Sequence, residues 1–465
     1  MDDARSSREK IRAWRLSRGR RLAVLDDDPT GSQSVHDVQV VTVFDDREYA
    51  SALEHPDSVA FILTNTRSLP EAEAVDLNAE VTAALLAIDP DLDLVSRSDS
   101  TLRGHVLAEV RAIDDRRALS TGRRFDGILF APAFFEAGRF TSGDVHFATI
   151  GGEAVPVADS EFSRDATFGY GSSDLREFVV EKSGGAVALE DVLSISLETI
   201  REGGVDAVLD VLLKAHDGGW VIVNATDYDD YETVVLAVQA AIDAGRSYLF
   251  RTGPSFVRAL AGLEPRAPLA AADLTDLVGN DAHGLIVVGS HVSQTSRQVA
   301  QARATGSLVE IEVSVPRILA GDGDYLAGVI RDTRSALRND DVLVYTSRDL
   351  VAGPDAAASL DIARAVSAAV SRIVAAALDS GPAWVIAKGG ITSHDVAVHG
   401  LGMRRARVVG QLLPGLISLF DPVSASPPAV GMPYVVFAGN VGDDDTLAHV
   451  VSVLRAAQRV TRVNA

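Results

Sequence analysis

The sequence predicts an α/β protein with two α/β domains, mainly parallel sheets and a cleft between the domains. The first reason is length, because 465 residues are more than one ordinary hydrophobic core organises. The second is a recurring unit in which a short apolar run ends in a polar turn and an amphipathic stretch follows, as in βαβ units. The third is that this series breaks once and then resumes. The predicted divisions are a basic lead-in helix over 1–21, an N-terminal domain over 22–260, a linker over 261–283 and a C-terminal domain over 284–465.

Each predicted strand is an apolar run bounded by turn-forming or polar residues. In the N-terminal series the strands cover 22–25, 59–63, 92–95, 127–131, 220–223 and 247–250. In the C-terminal series they cover 285–288, 342–345, 384–387 and 434–438, with Ala-rich helices over 357–379 and 443–459. Ligands of parallel sheets bind beyond the carboxyl ends of the strands. The polar residues at these ends are therefore the candidate site residues.

Composition excludes several classes of partner and chemistry. A net charge of -22 repels phosphate backbones and anionic membrane surfaces, so neither nucleic acid nor a membrane is an expected partner. Cysteine is absent, which excludes disulfides and thiolate chemistry, and the ten histidines lack metal-binding spacing, so no metal-ligating residue is predicted. Residues 1–21 carry eight Lys or Arg residues and no apolar signal-peptide core, and no apolar run approaches about 20 residues. We expect a cytoplasmic protein.

Three Gly/Ser/Thr-rich loops follow strands of the C-terminal series. Glycine lets a backbone approach a phosphate closely, and hydroxyls and helix N-termini supply hydrogen-bond donors. Each loop alone also fits an ordinary capped turn, but three in one domain predict a phosphate or nucleotide site. Neither a Walker A motif nor a Gly-x-Gly-x-x-Gly motif is present. The candidate nucleotide-binding residues are Ser290, Ser293, Lys388, Gly389, Gly390, Ile391, Thr392, Ser393, Gly439, Asn440 and Gly442.

Carboxylates and arginines follow strands of the N-terminal series. Asp26, Asp27 and Asp28 are adjacent, and their mutual repulsion requires a cation, a base role or arginines to offset it. Arginine forks bind carboxylates bidentately, so the pattern fits either a structural ion-pair network or a site for an acidic substrate. Asp27 and Asp28 are the candidate catalytic residues. The candidate substrate-binding residues are Arg67, Asp99, Ser100, Thr101, Arg103 and Arg251.

Five short motifs, in this order, resemble those of the four-carbon acid sugar kinase family, which contains D-threonate, D-erythronate and 3-oxo-tetronate kinases. They cover 27–31, 99–104, 289–293, 388–393 and 439–442. The resemblance implies an N-terminal sugar-acid domain, a C-terminal ATP domain, and phosphoryl transfer from ATP with Mg²⁺ to a hydroxyl of a small, four-carbon sugar acid. The oligomeric state stays open, with a homodimer as one candidate.

The same resemblance implies roles for individual residues. Arg67, Arg103 or Arg251 would hold the substrate carboxylate, and Asp27 or Asp28 would accept or position the proton of the attacking hydroxyl. Departures from the usual family pattern occur at Pro29, Ser32, Arg97 and Val441, mostly on the substrate side, so the identity of the acid stays open. The alternatives are a non-catalytic sugar-acid binding protein and a lyase or epimerase acting on sugar acids.

Overall fold

The computed structural model describes residues 2–28, 34–278, 282–348, 351 and 356–464. Pro29, Thr30 and Gly31, which complete the first of the five motifs, lie outside the described residues. The chain divides into two compact units, Met1–Pro265 and Arg266–Ala465. Part of the segment predicted as a linker, 261–283, packs into the second unit, where Leu269, Leu274 and Val278 belong to the hydrophobic core.

The N-terminal unit is a parallel sheet with helices, plus a small antiparallel sheet. Its strands are β1 Leu22–Asp26, β2 Gln39–Val41, β3 Val59–Leu63, β4 Asp93–Arg97, β5 Gly127–Ala131, β6 Arg139–Ser142, β7 Val145–Ile150, β8 Glu153–Pro156, β9 Leu193–Ile195, β10 Gly219–Val223 and β11 Tyr248–Thr252. Its helices are α1 Asp2–Arg18, α2 Asp46–Ala52, α3 Glu71–Ile88, α4 Val106–Thr121, α5 Leu175–Lys182, α6 Leu197–Arg201, α7 Gly204–Leu212, α8 Tyr228–Asp243 and α9 Pro254–Ala261.

The parallel sheet of this unit has the order β2-β3-β1-β4-β11-β5-β10-β9. Every residue of β1, β3, β4, β5 and β11 is buried, as expected of continuous apolar runs that helices cover on both faces. Strands β6, β7 and β8 form the antiparallel sheet. In the register of the large sheet, Asp26 lies beside Leu63 and Arg97, and Arg97 lies beside Thr252. The ends of β3, β1, β4 and β11 therefore share one edge.

The C-terminal unit contains a second, mainly parallel sheet. Its strands are β12 Leu285–Val288, β13 Val309–Val313, β14 Val342–Thr346, β15 Val385–Lys388, β16 Arg405–Leu413, β17 Ile417–Ser424 and β18 Tyr434–Phe437. Its helices are α10 Ser293–Ala304, α11 Val315–Leu319, α12 Gly323–Ala336, α13 Ala356–Ala377, α14 Gly390–Asp395 and α15 Thr446–Asn464. The strand order is β13-β14-β12-β15-β18-β17-β16, parallel as far as β18 and antiparallel over the last two pairs.

The predicted fold class, α/β with mainly parallel sheets, is confirmed. The cleft stays a prediction. The predicted elements did not include the short strands β2 and β9, the antiparallel β6–β8 sheet or the β16–β17 pair. Within the described part of the chain, no helix combines the length and the apolarity needed to cross a membrane.

Candidate functional site

The three adjacent aspartates of the N-terminal unit are each paired with an arginine at or just after the end of a neighbouring strand. Asp26 accepts a hydrogen bond of 2.7 Å from Arg97 at the end of β4. Arg67, just after β3, donates to both oxygens of Asp27 at 2.5 and 3.2 Å and to Asp28 at 3.2 Å. The repulsion expected from the sequence is therefore offset by two guanidinium groups.

The three carboxyl groups differ in how exposed they are to solvent. Burial raises the pKa of Asp26 to about 7 against the lowering effect of Arg97, and burial also raises the pKa of Asp27. The Asp27 side chain is 2% exposed, whereas that of Asp28 is 23% exposed. Of the two predicted catalytic aspartates, Asp28 is thus the more accessible, and the buried Asp27 is held by a bidentate ion pair with Arg67.

The loop after β4 contains the predicted substrate residues Asp99, Ser100, Thr101 and Arg103. Asp99 accepts hydrogen bonds from the Arg103 Nε at 2.7 Å and from the Thr101 hydroxyl. Although burial acts in the opposite direction, the guanidinium groups of Arg67 and Arg103 hold the pKa of Asp99 well below its usual range. Asp99 is consequently a fixed negative charge and is already paired.

A glycine lets this loop pass against the aspartates. Gly104 has a φ of 122°, and a Cβ added there would lie 2.9 Å from the Asp27 Oδ2. An L side chain at this position would strain the backbone and displace the carboxylate. The glycine that ends the second motif is therefore required by the close approach of two loops.

Arg251 lies below this edge, in a layer that solvent does not reach. Its side chain is 0% exposed, and its Nη1 donates to Glu109 and to the Ser96 hydroxyl, both at 2.6 Å. Glu109 also accepts a hydrogen bond of 2.5 Å from Thr66. In this structure Arg251 supports the strand ends from inside, and its predicted contact with substrate stays a prediction.

Several residues at this edge were not among the predicted site residues. In the sequence, nothing distinguishes Glu109 from an ordinary helix residue. Arg139 and His146 belong to strands that were not predicted from the sequence. The Arg139 Nη1 donates to the Ser100 hydroxyl at 2.7 Å, and the His146 Nε2 lies 2.8 Å from the Ser100 carbonyl oxygen. A single sequence offers no signal for these contacts, because they join segments about 40 residues apart in the chain.

In the C-terminal unit the three predicted loops follow β12, β15 and β18, which are neighbours in the sheet. The Thr295 hydroxyl lies 3.1 Å from the Ser290 hydroxyl and donates to the Gly439 carbonyl at 2.7 Å, which joins the first loop to the third. The Gly389 N–H donates to the Phe437 carbonyl at 2.8 Å. The structure therefore brings all three loops together.

Two glycines of these loops have no room for a side chain. A Cβ on Gly289 would lie 2.2 Å from the Thr392 hydroxyl, and one on Gly439 would lie 2.6 Å from the Ser290 hydroxyl. These glycines therefore let the three loops pack closely against one another where the hydroxyls converge. Among the remaining predicted residues, Ser293, Ile391 and Asn440 are exposed, Gly390 and Gly442 are half-buried, and the buried Ser393 hydroxyl donates inward to the Ala387 carbonyl at 2.7 Å.

Lys388 is a buried cation at the centre of this edge. Its side chain is fully buried, and its Nζ lies 3.1 Å from the Ala438 carbonyl oxygen and 3.7 Å from the centroid of the Phe437 ring. It forms no ion pair with any carboxylate of the described residues. Burial lowers the pKa of Lys388 to about 7. An anion at this edge would favour its charged form.

An apolar cavity of about 270 Å³ adjoins the loops after β12 and β15. Gly289 and Thr392 belong both to the cavity wall and to the loops. The rest of the wall is mainly aliphatic, with Val315, Ile362, Val366, Val370 and Ile391. Such a cavity suits the uncharged, planar part of a ligand whose charged part lies over the loops.

The comparisons with known proteins find one family model for each unit. A family model described as a sugar-binding N-terminal domain matches residues 22–260, and one described as a nucleotide-binding C-terminal domain matches residues 285–447. A D-threonate kinase of Salmonella typhimurium LT2 is 26% identical over 337 residues, which cover 70% of this chain and 72% of the relative. The chain belongs to the four-carbon acid sugar kinase family.

Solved structures share the fold of this four-carbon acid sugar kinase family member. A structure from Salmonella typhimurium LT2, titled a putative tRNA synthase, aligns with a TM-score of 0.68 at 17% identity and covers 92% of this chain and 98% of its own. A Haemophilus influenzae protein from a family of unknown function aligns with a TM-score of 0.64 at 16% identity, covering 93% and 100%. The family and the kinase-named relative support a phosphotransferase that acts on a small molecule; the candidate homodimer and the expected cytoplasmic location stay predictions.

Proposed function

We propose that this protein is an ATP-dependent kinase that phosphorylates a hydroxyl of a small, four-carbon sugar acid. The observation that carries the proposal is that each unit presents one half of the required chemistry at the carboxyl edge of its sheet. The N-terminal edge presents paired carboxylates and guanidinium groups, and the C-terminal edge presents crowded glycine loops around a buried lysine.

The acceptor half of the reaction belongs to the N-terminal edge. Asp28 accepts the proton of the attacking hydroxyl, because it is the more exposed of the two candidate carboxylates. Asp27 orients Arg67, which in turn holds Asp28 in place. A loose phosphoryl-transfer transition state requires mainly placement and charge neutralisation, and this ion-pair network supplies rigid placement.

The donor half belongs to the C-terminal edge. The loops after β12, β15 and β18 receive the phosphates, Lys388 neutralises part of their charge, and the apolar cavity beside Gly289 receives the purine. Within the described residues no group of three or more His, Asp or Glu side chains is placed to hold a metal ion. Mg²⁺ would enter with the nucleotide phosphates, and it would supply positive charge that offsets the charge of the transferred group.

The test is an ADP-release assay with ATP and Mg²⁺ over tetronates, pentonates and their oxo forms. We expect turnover with at least one four-carbon acid. The companion measurement is thermal unfolding in the presence of an ATP analogue and Mg²⁺. A ligand at a concentration of 100 times its Kd stabilises the folded protein that it binds by about 2.7 kcal/mol. Stabilisation by acids alone would favour a binding protein, and acid conversion without ATP would favour a lyase or epimerase; either result would replace the kinase proposal.

A further inference from the structure

The arginines at the N-terminal edge differ in whether a carboxylate of the protein already pairs with them. Those predicted from the sequence are already neutralised by carboxylates of the protein itself. Arg67 pairs with Asp27 and Asp28, Arg103 with Asp99 and Asp165, and Arg251 with Glu109; Arg97, at the end of β4, pairs with Asp26. Each of these arginines therefore already has a carboxylate of the protein beside it that offsets its charge.

Arg139 differs because it forms no ion pair with a carboxylate of the described residues. Its Nη1 donates a hydrogen bond of 2.7 Å to the Ser100 hydroxyl, and no other side-chain hydrogen bond joins it to the described residues. The side chain is half-buried, and burial lowers the pKa of Arg139, against the raising effect of Asp99. A guanidinium group stays charged in proteins. A half-buried guanidinium group that forms no ion pair can therefore bind an anionic ligand.

Arg139 also lies at the right place for a carboxylate. The Cζ atoms of Arg103 and Arg139 each lie 5.5 Å from the centroid of the Phe162 ring, so two cations flank one aromatic side chain. Arg139 is further joined to the predicted substrate loop through Ser100. An anion bound there would meet the unused N–H groups of Arg139 and lie close to the Asp99–Arg103 pair.

The backbone around Arg139 is held rigidly. Arg139 and Phe134 exchange two backbone hydrogen bonds of 2.9 Å. The intervening turn ends at Gly138, whose φ is 66° and whose added Cβ would lie 2.7 Å from the Thr149 hydroxyl. A fixed backbone reduces the entropy lost when the guanidinium group binds a ligand.

From these observations we infer that Arg139 anchors the carboxylate of the acceptor sugar acid and so selects acids over neutral sugars and polyols. The inference rests on the proposed function, because it assigns the acid group of that acceptor to one residue. Arg67 and Arg103 then act as positioning residues, which hold Asp28 and the Ser100 loop in place.

The experiment compares Arg139→Gln and Arg139→Lys with the matched control Arg123→Gln, an exposed arginine paired with Asp91. Binding of D-threonate and D-erythronate is measured by calorimetry without nucleotide, with threitol and erythritol as neutral counterparts. We expect Arg139→Gln to weaken binding of the acid about 10- to 100-fold, Arg139→Lys to weaken it less, and the control to leave it unchanged. In steady-state turnover, Arg139→Gln should raise KM for the acid and leave KM for ATP unchanged.

The outcomes separate this inference from the proposed function. An unaltered acid affinity in Arg139→Gln overturns the inference, and so does an equal loss for acid and polyol, which would indicate a structural role. Absence of acid binding by the wild-type protein overturns it as well. Absence of ATP-dependent turnover in a wild-type protein that binds these acids through Arg139 would refute the kinase proposal alone.

Discussion

Lys388 provides the sharpest test of the nucleotide site, because burial lowers its pKa to about 7 without any carboxylate partner among the described residues. At pH 8 a group with this pKa is only about one-tenth protonated. Nucleotide phosphates beside it would restore the charged form. Binding of an ATP analogue with Mg²⁺ at pH 8 should therefore take up about 0.9 proton at Lys388, and at pH 6 only about 0.1.

The measurement is calorimetric titration in two buffers of different ionisation enthalpy at each pH. Titration of the phosphates themselves, near pH 6, is the same for every variant and is subtracted with Lys388→Met. This variant keeps a long unbranched side chain but removes the charge. We expect it to abolish proton uptake at pH 8 and to weaken analogue binding roughly 10- to 100-fold at pH 6, where the wild-type lysine is charged.

The same group contributes a pH dependence of stability with a defined sign. The folded protein binds the Lys388 proton less tightly than the unfolded chain, whose lysine pKa is near 10.5. The contribution of Lys388 to the free energy of unfolding should therefore rise with pH between about 7 and 10.5, by a few kcal/mol at most. Equal proton uptake in wild type and Lys388→Met, or equal analogue affinity at pH 6, would refute a lysine that faces the phosphates.

Three further predictions concern the ion pairs and the loops. Asp28→Asn should lower kcat about 10²- to 10⁴-fold and leave ATP affinity unchanged, whereas Asp27→Asn should mainly lower the free energy of unfolding. Steady-state kinetics and urea unfolding distinguish the two effects. If both variants retain turnover, another carboxylate is the base. Glu109→Gln should lower the free energy of unfolding by roughly 3 to 5 kcal/mol, because it leaves the Arg251 charge buried and unpaired; a change below 1 kcal/mol in urea titration would contradict this. Gly289→Ala should weaken binding of an ATP analogue at least about 10-fold with acid binding unchanged, since its Cβ would lie 2.2 Å from the Thr392 hydroxyl and would displace the neighbouring loop. Unchanged analogue affinity would show that the packing of these two loops does not position the nucleotide.

Much of the fold could be predicted from the sequence, because buried parallel strands are continuous apolar runs. The predicted 22–25 and 59–63 correspond to β1 Leu22–Asp26 and β3 Val59–Leu63. Strands β2 and β9 have only three residues each and include half-buried positions, so they carry too weak a pattern to be recognised in the sequence. The antiparallel β6–β8 sheet was missed for a related reason, since its strands are short and largely half-buried or exposed.

The candidate site could be located from the sequence only as a set of strand ends. Local spacing is enough to place Asp28, Arg67 and the glycine loops after apolar runs, because strand ends of a parallel sheet share an edge. The partner of each charged group depends on strand order, which the sequence does not state. Asp26 pairs with Arg97 whereas Asp27 and Asp28 pair with Arg67, and the fully buried Arg251 pairs with Glu109.

Arg139 shows the same division most clearly. In the sequence it is one arginine after a glycine, in a stretch with no predicted strand. Only the tertiary structure places it over Phe162 and against Ser100 while every predicted arginine is paired elsewhere. Residue type and local pattern determined which groups could do chemistry; long-range packing decided which charges are neutralised internally, because ion pairing and desolvation depend on neighbours distant in the chain.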